Sequence, residues 1–243
     1  RPRARRLAGR SRALRQVRRG LVIGLCAGAL LRAAALPLAG TTDVVIWKTW
    51  AYGASADLSG AYGVGGQPPE HPEVAWQTRH FAVDYPPLTL EELAVTGALY
   101  RHVDAAFEDS RLLDSLVKLP GVLWELLLVT FLLTWGRRRW GSETAARAAL
   151  AWWLNPAVIL NGPVLGYLDT SMLVPAAMSL LCAWDGELVA AAILAGVAML
   201  TKAQAVFVLP AIAVAAWKAR ARWRPHALGW AAIGATVVAG VVL

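Results

Sequence analysis

The sequence predicts an all-α fold, a polytopic membrane bundle of about seven spanning helices with a long outer loop that contains interfacial helices. Of the 243 residues, 57% are hydrophobic and only 16% are charged, and the mean hydropathy is +0.48. A soluble domain of this length carries more charge. The basic residues also gather in short segments between apolar runs, as the positive-inside rule describes for membrane proteins.

The predicted spans follow the apolar runs of the sequence. These runs lie at 20–39, 115–136, 144–162, 168–184, 186–201, 203–218 and 226–243. Several are shorter than the ~20 residues that cross a ~30 Å hydrocarbon core. The basic start resembles a signal peptide, but no convincing cleavage site precedes Asp43, which favours an uncleaved first span. The last run reaches the end of the sequence, so we interpret the chain as truncated at its C-terminus.

The charge distribution predicts the orientation. Residues 1–19 hold nine arginines and no acid, so we expect a basic cytoplasmic tail there and a membrane-embedded module over 20–243. The loop 43–114 holds eleven acids and four basic residues, and it then lies outside. The sequence thus predicts a multi-pass integral membrane protein. A nucleic-acid partner is not expected, because no folded polar domain bears the basic residues.

The outer loop has its own predicted helices. The stretch "TTDVVIWKTWAYGASADL" favours a helix with Thr42 or Asp43 as N-cap, and Trp47 and Trp50 then share a face that suits the membrane interface. The glycine- and proline-rich "SGAYGVGGQPPEHPE" indicates a loop. "DYPPLTLEELAVTGALYRHV" predicts a second helix with proline in its first turn and two acids near its positive end.

Three polar residues of this loop are candidates for chemistry. Asp43 follows the first span directly and could remove a proton from an acceptor hydroxyl, or it could simply cap the helix. Asp84 and Tyr85 precede two prolines, which restrict the backbone before them. A carboxylate and a hydroxyl held in this way suit recognition of a sugar or a lipid head group, although the same residues also make a good helix start.

The later turns hold further candidates. Asp169, in "GPVLGYLDTS", could hydrogen-bond a ligand or cap the next span. Lys202, in "LTKAQAVFVLP", is costly among apolar helices unless it meets a partner such as phosphate or reaches the interface. Inside the spans, Lys118 and Glu125 are expected to form a structural charge pair, while Arg32 could join a pair or meet an anionic lipid.

No metal site is expected. The histidines His71, His80, His102 and His226 lack zinc spacing, and "EHPE" with Asp84 is only a minor alternative for a divalent cation. Cys26 and Cys182 lie in apolar runs and are expected to be buried small hydrophobic residues. The sequence contains no phosphate-binding glycine loop, nucleophile elbow or metalloprotease helix.

The order of these motifs resembles a known superfamily. An aspartate after the first span is followed by "DYPPLT", by "KLPGVLWELLL", by "LNPAVILNGPVLGYLDT" and by "TKAQAVFVLP". Over about residues 30–215 this pattern resembles the GT-C glycosyltransferases. It is most similar to the dolichyl-phosphate-glucose-dependent glucosyltransferases and to their bacterial polyprenyl-phosphate-sugar relatives.

The resemblance implies a hexosyltransferase that inverts the anomeric centre of the sugar and needs no cofactor. A polyprenyl-phosphate sugar would be the donor, and a glycan or lipid-linked hydroxyl on the outer face of a bacterial plasma membrane would be the acceptor. Asp43 corresponds to the base. The substrate-binding positions are Asp84, Tyr85, Asp169, Lys202 and Gln204, and we add Arg79 and His80 as helpers for the phosphate.

Two motifs depart from the family pattern. The "WGQ-x-D" of the family is "LGYLD" here, so Tyr167 replaces the glutamine, and "KPQ" is "KAQ", which predicts a straighter helix at Lys202. A transporter or flippase of a lipid-linked or anionic substrate is the alternative function, and a non-catalytic membrane subunit is a third. Clustering of the polar residues on one face, without a visible inverted repeat, favours the enzyme over the transporter.

Overall fold

The computed structural model of the protein describes residues 2–63 and 73–219, with side chains described from residue 17 onward except those of 216 and 219. The described chain is mainly helical. Its α-helices are α1 (Pro2–Ala35), α2 (Thr42–Ala54), α3 (Pro87–Val103), α4 (Arg111–Phe131), α5 (Arg137–Trp140), α6 (Ser142–Trp153), α7 (Pro156–Ile159), α8 (Asp169–Asp185), α9 (Leu188–Thr201) and α10 (Leu209–Ala219). Short 3₁₀-helices lie at Gly60–Tyr62 and Ala203–Val208, and π-helical turns lie at Leu132–Gly136 and Leu160–Val164.

The prediction of about seven spans is wrong. Among the described residues one continuous helical segment, Arg111–Trp140, is long and apolar enough to cross a membrane, with 30 residues and a mean hydropathy of 1.9 in its most apolar window. The segments expected to be spans at 168–184 and 186–201 form helices of 17 and 14 residues, too short for the ~20 residues that a span needs. The predicted span at 226–243 lies outside the described residues.

Proline and glycine break the predicted span at 144–162. Helix α6 ends at Trp153, and Asn155 caps the short α7, whose first residue is Pro156. The Asn155 side chain accepts a hydrogen bond from the Ala157 N–H, which is the usual way to begin a new helix. The chain then passes through a π-helical turn to Gly166, which has φ +85°. An apolar composition alone does not reveal these breaks.

The region 43–114 is not purely helical, which corrects the all-α prediction. Strands β1 (Glu73–Trp76) and β2 (Arg79–Ala82) form an antiparallel hairpin in which Val74 pairs with Phe81. The two-residue turn contains Gln77 at φ 55°, a backbone conformation typical of tight hairpins. The predicted loop at 59–73 begins with the short 3₁₀-helix Gly60–Tyr62, and its residues 64–72 lie outside the described residues.

Helices α2 and α3 pack against each other and against the hairpin. Trp47 and Trp50, which we expected to face the membrane interface, are instead 3% and 2% exposed in a core that also contains Leu90 and Leu93 of α3. Helix α2 begins at Thr42 with Thr41 as its N-cap, so neither residue proposed as the cap occupies that position. The second predicted helix is present as α3, with proline in its first turn.

A second layer of helices supports this region. Helix α4 packs on α8, and α8 packs most extensively on α9 and then on α10. Trp153 of α6 lies in the core with Leu128 and Val129 of α4. Helix α1 continues without a break across residue 19, and Cys26 on it is exposed, against the expectation of burial.

Candidate functional site

The N-terminus of α2 is fastened to the turn that precedes α8. The backbone N–H of Thr41 donates to the Leu165 carbonyl at 2.9 Å, and the Trp47 indole N–H donates to the Gly166 carbonyl at 2.9 Å. A Cβ added at Gly166 would lie 2.2 Å from the Val44 side chain, so the two segments approach closely because residue 166 has no side chain. Asp43, half-buried in the first turn of α2, is therefore brought beside residues distant in sequence.

Tyr85 is held against α2 by its ring and its backbone. Its ring makes edge-to-face contacts with Trp47 and Trp50, with centroids 5.2 and 5.5 Å away. The Tyr62 hydroxyl donates to the Tyr85 carbonyl at 2.9 Å. Burial, together with the nearby charge of Glu91, raises the pKa of Tyr62 to about 12, so this hydroxyl keeps its proton at physiological pH. The backbone before the prolines is thus held by tertiary contacts of Tyr85 as well as by the covalent restriction that the sequence predicts.

These residues enclose a cleft of about 280 Å³. We call it the aromatic cleft, and it is lined by Asp43, Ile46, Trp47, Trp50, Phe81, Ala82, Asp84 and Tyr85. Asp84 is exposed and Asp43 is half-buried. Two of the carboxylates singled out in the sequence therefore line the same small space.

Asp169 and Lys202 form an ion pair next to the cleft. The Lys202 Nζ donates to Asp169 Oδ1 at 2.7 Å, and the Asn161 amide donates to Asp169 Oδ2 at 3.4 Å. The Lys202 Nζ also lies 5.2 Å from the centroid of the Tyr85 ring, within the range of a cation–π contact. Asp169 is the first residue of α8, and Leu168 is the N-cap, so its carboxylate binds a lysine rather than capping the helix.

Lys202 stays protonated in this setting. Burial by itself lowers its pKa, but the hydrogen bonds with Asp169 and Tyr85 outweigh burial and raise it above its ordinary value. The chain is extended at Lys202, with φ −155° and ψ 127°, and it separates α9 from the 3₁₀-helix that follows. The prediction of a straighter helix at "KAQ" is wrong, because the backbone breaks there without a proline.

Helix α3 is joined to the same corner. The Thr89 hydroxyl donates to the Thr201 carbonyl at 2.7 Å, one residue before Lys202. Glu92 of the same helix accepts hydrogen bonds from the Trp124 indole N–H at 2.6 Å and from the Ser171 hydroxyl at 3.3 Å. Four separate parts of the chain, at residues 41–47, 84–89, 165–171 and 201–202, therefore meet in one place.

Three candidate residues do not join this cluster in the structure. Arg79 donates from both terminal nitrogens to Asp109 Oδ2 at 3.1 Å and lies 4.9 Å from the Trp76 ring. His80 and Gln204 are exposed, and neither is among the residues that line the aromatic cleft.

Sequence reasoning missed the buried Lys48 and gave Lys118 the wrong partner. Lys48, 5% exposed, binds Asp109 at 2.6 Å and also pairs with Asp114. Lys118, which we expected to pair with Glu125, instead donates to the backbone carbonyls of Leu36 and Pro163 at 3.3 Å and to that of Leu38. A lysine within an apolar pattern is the signal that could have marked Lys48 as well, but this signal does not identify the partner.

Comparison with protein-family models, with curated proteins and with solved structures finds no significant match for this chain. Arguments about its function therefore rest on its residues and on the geometry of the aromatic cleft and the Asp169–Lys202 pair.

Proposed function

We propose that the protein is a membrane glycosyltransferase that moves a hexose from a polyprenyl-phosphate sugar to an acceptor hydroxyl. The observation that supports this most directly is the convergence of Asp43, Asp84 and Tyr85 on one cleft, with the Asp169–Lys202 pair beside it. The same residues are those that the resemblance to the GT-C glycosyltransferases selects. The proposal includes membrane lipids as surroundings and no nucleic-acid partner.

The acceptor would occupy the aromatic cleft. Asp43 lines the cleft at the N-terminal turn of α2. An ionised carboxylate within hydrogen-bond reach of an acceptor hydroxyl can take its proton as the oxygen attacks. The rings of Phe81 and Tyr85 are half-buried and offer apolar surface to the C–H face of a sugar.

The donor phosphate would meet Lys202. An ammonium has three N–H donors. Asp169 accepts one of them at 2.7 Å and Tyr85 takes a second, so one donor remains for a phosphate oxygen. In the proposed step the acceptor oxygen bonds to the anomeric carbon, and the bond from that carbon to the phosphate oxygen breaks. The proton goes to Asp43, and Lys202 balances the charge of the departing phosphate. One in-line displacement inverts the anomeric centre.

The site is proposed to face the non-cytoplasmic side of a bacterial plasma membrane. Segment Arg111–Trp140 is the described helix long and apolar enough to cross. Its far end holds Arg137, Arg138 and Arg139, while residues 43–110 before it hold more acids than basic residues. Positive residues favour the cytoplasmic side, which places the aromatic cleft outside.

The test measures release of polyprenyl phosphate and transfer of hexose by the purified full chain with polyprenyl-phosphate glucose, mannose or galactose. Asp43→Asn is expected to lower transfer by at least 100-fold, within the ~10²–10⁴-fold that a general base contributes. Asp57→Asn, at an exposed acid outside the cleft, is the matched control and should keep full activity. Near-normal transfer in Asp43→Asn would remove Asp43 from the mechanism, and no transfer from any of these donors by the unaltered chain would overturn the proposed function.

A further inference from the structure

We propose that the aromatic cleft selects a ligand bearing a positively charged amino group, such as a protonated amino sugar, with Asp84 as its counter-charge. This inference deepens the proposed function, on which it rests, since the cationic ligand would be the acceptor of the hexose. Binding can nevertheless be measured without transfer, so the two proposals can fail separately.

The first argument is the charge of the cleft. Its lining includes two carboxylates, Asp43 and Asp84, and no cationic side chain among the described residues that form it. The neighbouring cations are engaged elsewhere, because Lys202 is bound to Asp169 and Arg79 to Asp109. Two carboxylates that line one cleft of about 280 Å³ make its potential negative, which favours a cationic ligand over a neutral one.

The second argument is the aromatic lining. Trp47 and Trp50 are almost fully buried and form the floor, while Phe81 and Tyr85 are half-buried and present ring surface. An ammonium group near an aromatic face is attracted by the ring quadrupole, by about 0.5–2 kcal/mol. A cleft that combines aromatic rings with uncompensated carboxylates therefore favours a cation over a neutral sugar of the same shape.

A third observation is an unused donor in the floor. The indole N–H of Trp50 is buried and has no hydrogen-bond partner within the described part of the chain. A buried donor without an acceptor costs about 1–3 kcal/mol. Trp50 also lines the cleft, and a bound sugar whose oxygen displaces the neighbouring side chains from this N–H would supply the missing acceptor.

Ligand-observed NMR titrations of the full chain in detergent test this inference. Glucosamine is the cationic probe, and glucose and N-acetylglucosamine are neutral probes of similar shape. We expect glucosamine to bind at least tenfold more tightly than either neutral sugar. Asp84→Asn should abolish this preference, Asp84→Glu should restore most of it, and the matched control Asp57→Asn should leave it unchanged. Because Asp84 is exposed, its replacement is not expected to disturb folding.

Equal affinity for glucosamine and glucose would overturn the inference, as would displacement of glucosamine by millimolar Mg²⁺ or Ca²⁺, because the carboxylates would then form a divalent-cation site. Transfer to a neutral acceptor without glucosamine binding would overturn this inference alone. Glucosamine binding that depends on Asp84, with no hexose transfer, would support the cationic site and overturn the proposed enzyme.

Discussion

Arg32 and Glu125 form a buried ion pair that links three helices. They are 2% and 0% exposed, and the Arg32 Nε donates to Glu125 Oε2 at 2.6 Å. The guanidinium also donates to the carbonyls of Gly28 and Trp153 and lies 3.6 Å from the centroid of the Trp153 ring. Arg32 thus has a protein partner, which decides between the two alternatives that its sequence position left open.

Removing one member of this pair should destabilise the protein strongly. Glu125→Ala leaves the Arg32 charge buried without its carboxylate, and the expected loss is about 3–5 kcal/mol of unfolding free energy. The double replacement Arg32→Met with Glu125→Leu should recover most of that loss, because no unpaired charge then remains. Thermal unfolding of Arg32→Met, Glu125→Leu and the double variant measures this coupling, and additive losses would contradict it.

Glu92 predicts a dependence of stability on pH. Burial raises its pKa above the ordinary value, although the hydrogen bonds from Trp124 and Ser171 act in the opposite direction. A raised folded-state pKa means that the stabilising contribution is complete below the unfolded pKa, near 4.5, and is lost as pH rises through the folded value. Charging this half-buried carboxyl therefore costs stability above its folded-state pKa.

Glu92→Gln should remove that cost. We expect the variant to be more stable than the unaltered chain at pH 7, and this difference should shrink as pH falls through the raised pKa of Glu92 towards 4.5. Melting temperatures across this range measure it. Glu91→Gln, at the exposed neighbouring acid, is the control and should shift stability little at any pH. The predicted direction would be wrong if the stability difference between Glu92→Gln and the unaltered chain were less favourable to the variant at pH 7 than at pH 4.

At the scale of elements, the contact between α2 and α3 depends on a glycine. A Cβ on Gly97 would lie 2.2 Å from the Ala51 carbonyl oxygen, and backbone atoms cannot yield as a flexible side chain does. This close approach keeps Trp47 and Trp50 of α2 in the common core beneath the aromatic cleft.

Gly97→Ala should separate the two helices and destabilise the protein by about 1–3 kcal/mol, as overpacking does. Glycine in a helix otherwise costs about 0.5–1 kcal/mol relative to alanine. Gly20→Ala, in α1 with open space around it, is therefore the matched control and should stabilise slightly. Thermal unfolding measures both, and a stabilised Gly97→Ala would show that the helices do not approach so closely.

Sequence and structure agree on elements whose signals are local. The prolines before α3 predicted its start, and Pro87 is its first residue.

The hairpin at 73–82 was missed, although "VAWQTRHF" contains the β-branched and aromatic residues typical of strands. The span count failed because an apolar run does not reveal whether its helix is continuous.

At the scale of the whole molecule, the charges that flank the membrane-length helix predict its orientation. Residues 43–110, which include the aromatic cleft, hold more acids than basic residues, and Arg137–Trp140 ends the apolar segment with three arginines. A helix of 30 residues extends about 45 Å. The two ends of this segment should therefore lie on opposite sides of the bilayer.

Cysteine labelling tests that orientation. After replacement of Cys26 and Cys182 by serine and alanine, Ala105→Cys should react with an impermeant maleimide in intact cells. Ser142→Cys is the matched exposed position beyond the other end and should react only after permeabilisation. Labelling of both positions, or of neither, in intact cells would show that Arg111–Trp140 does not cross the membrane.

By itself the sequence determined which residues have unusual chemistry for their surroundings: acids at helix starts, a lysine after an apolar run, and prolines that restrict the backbone. These are local properties, because composition and covalent geometry act over a few residues. Only the tertiary structure decided which group each charged side chain binds. It paired Arg32 with Glu125, Lys118 with carbonyls and Lys202 with Asp169, because burial allows a charge only the partner that packing brings within about 3 Å.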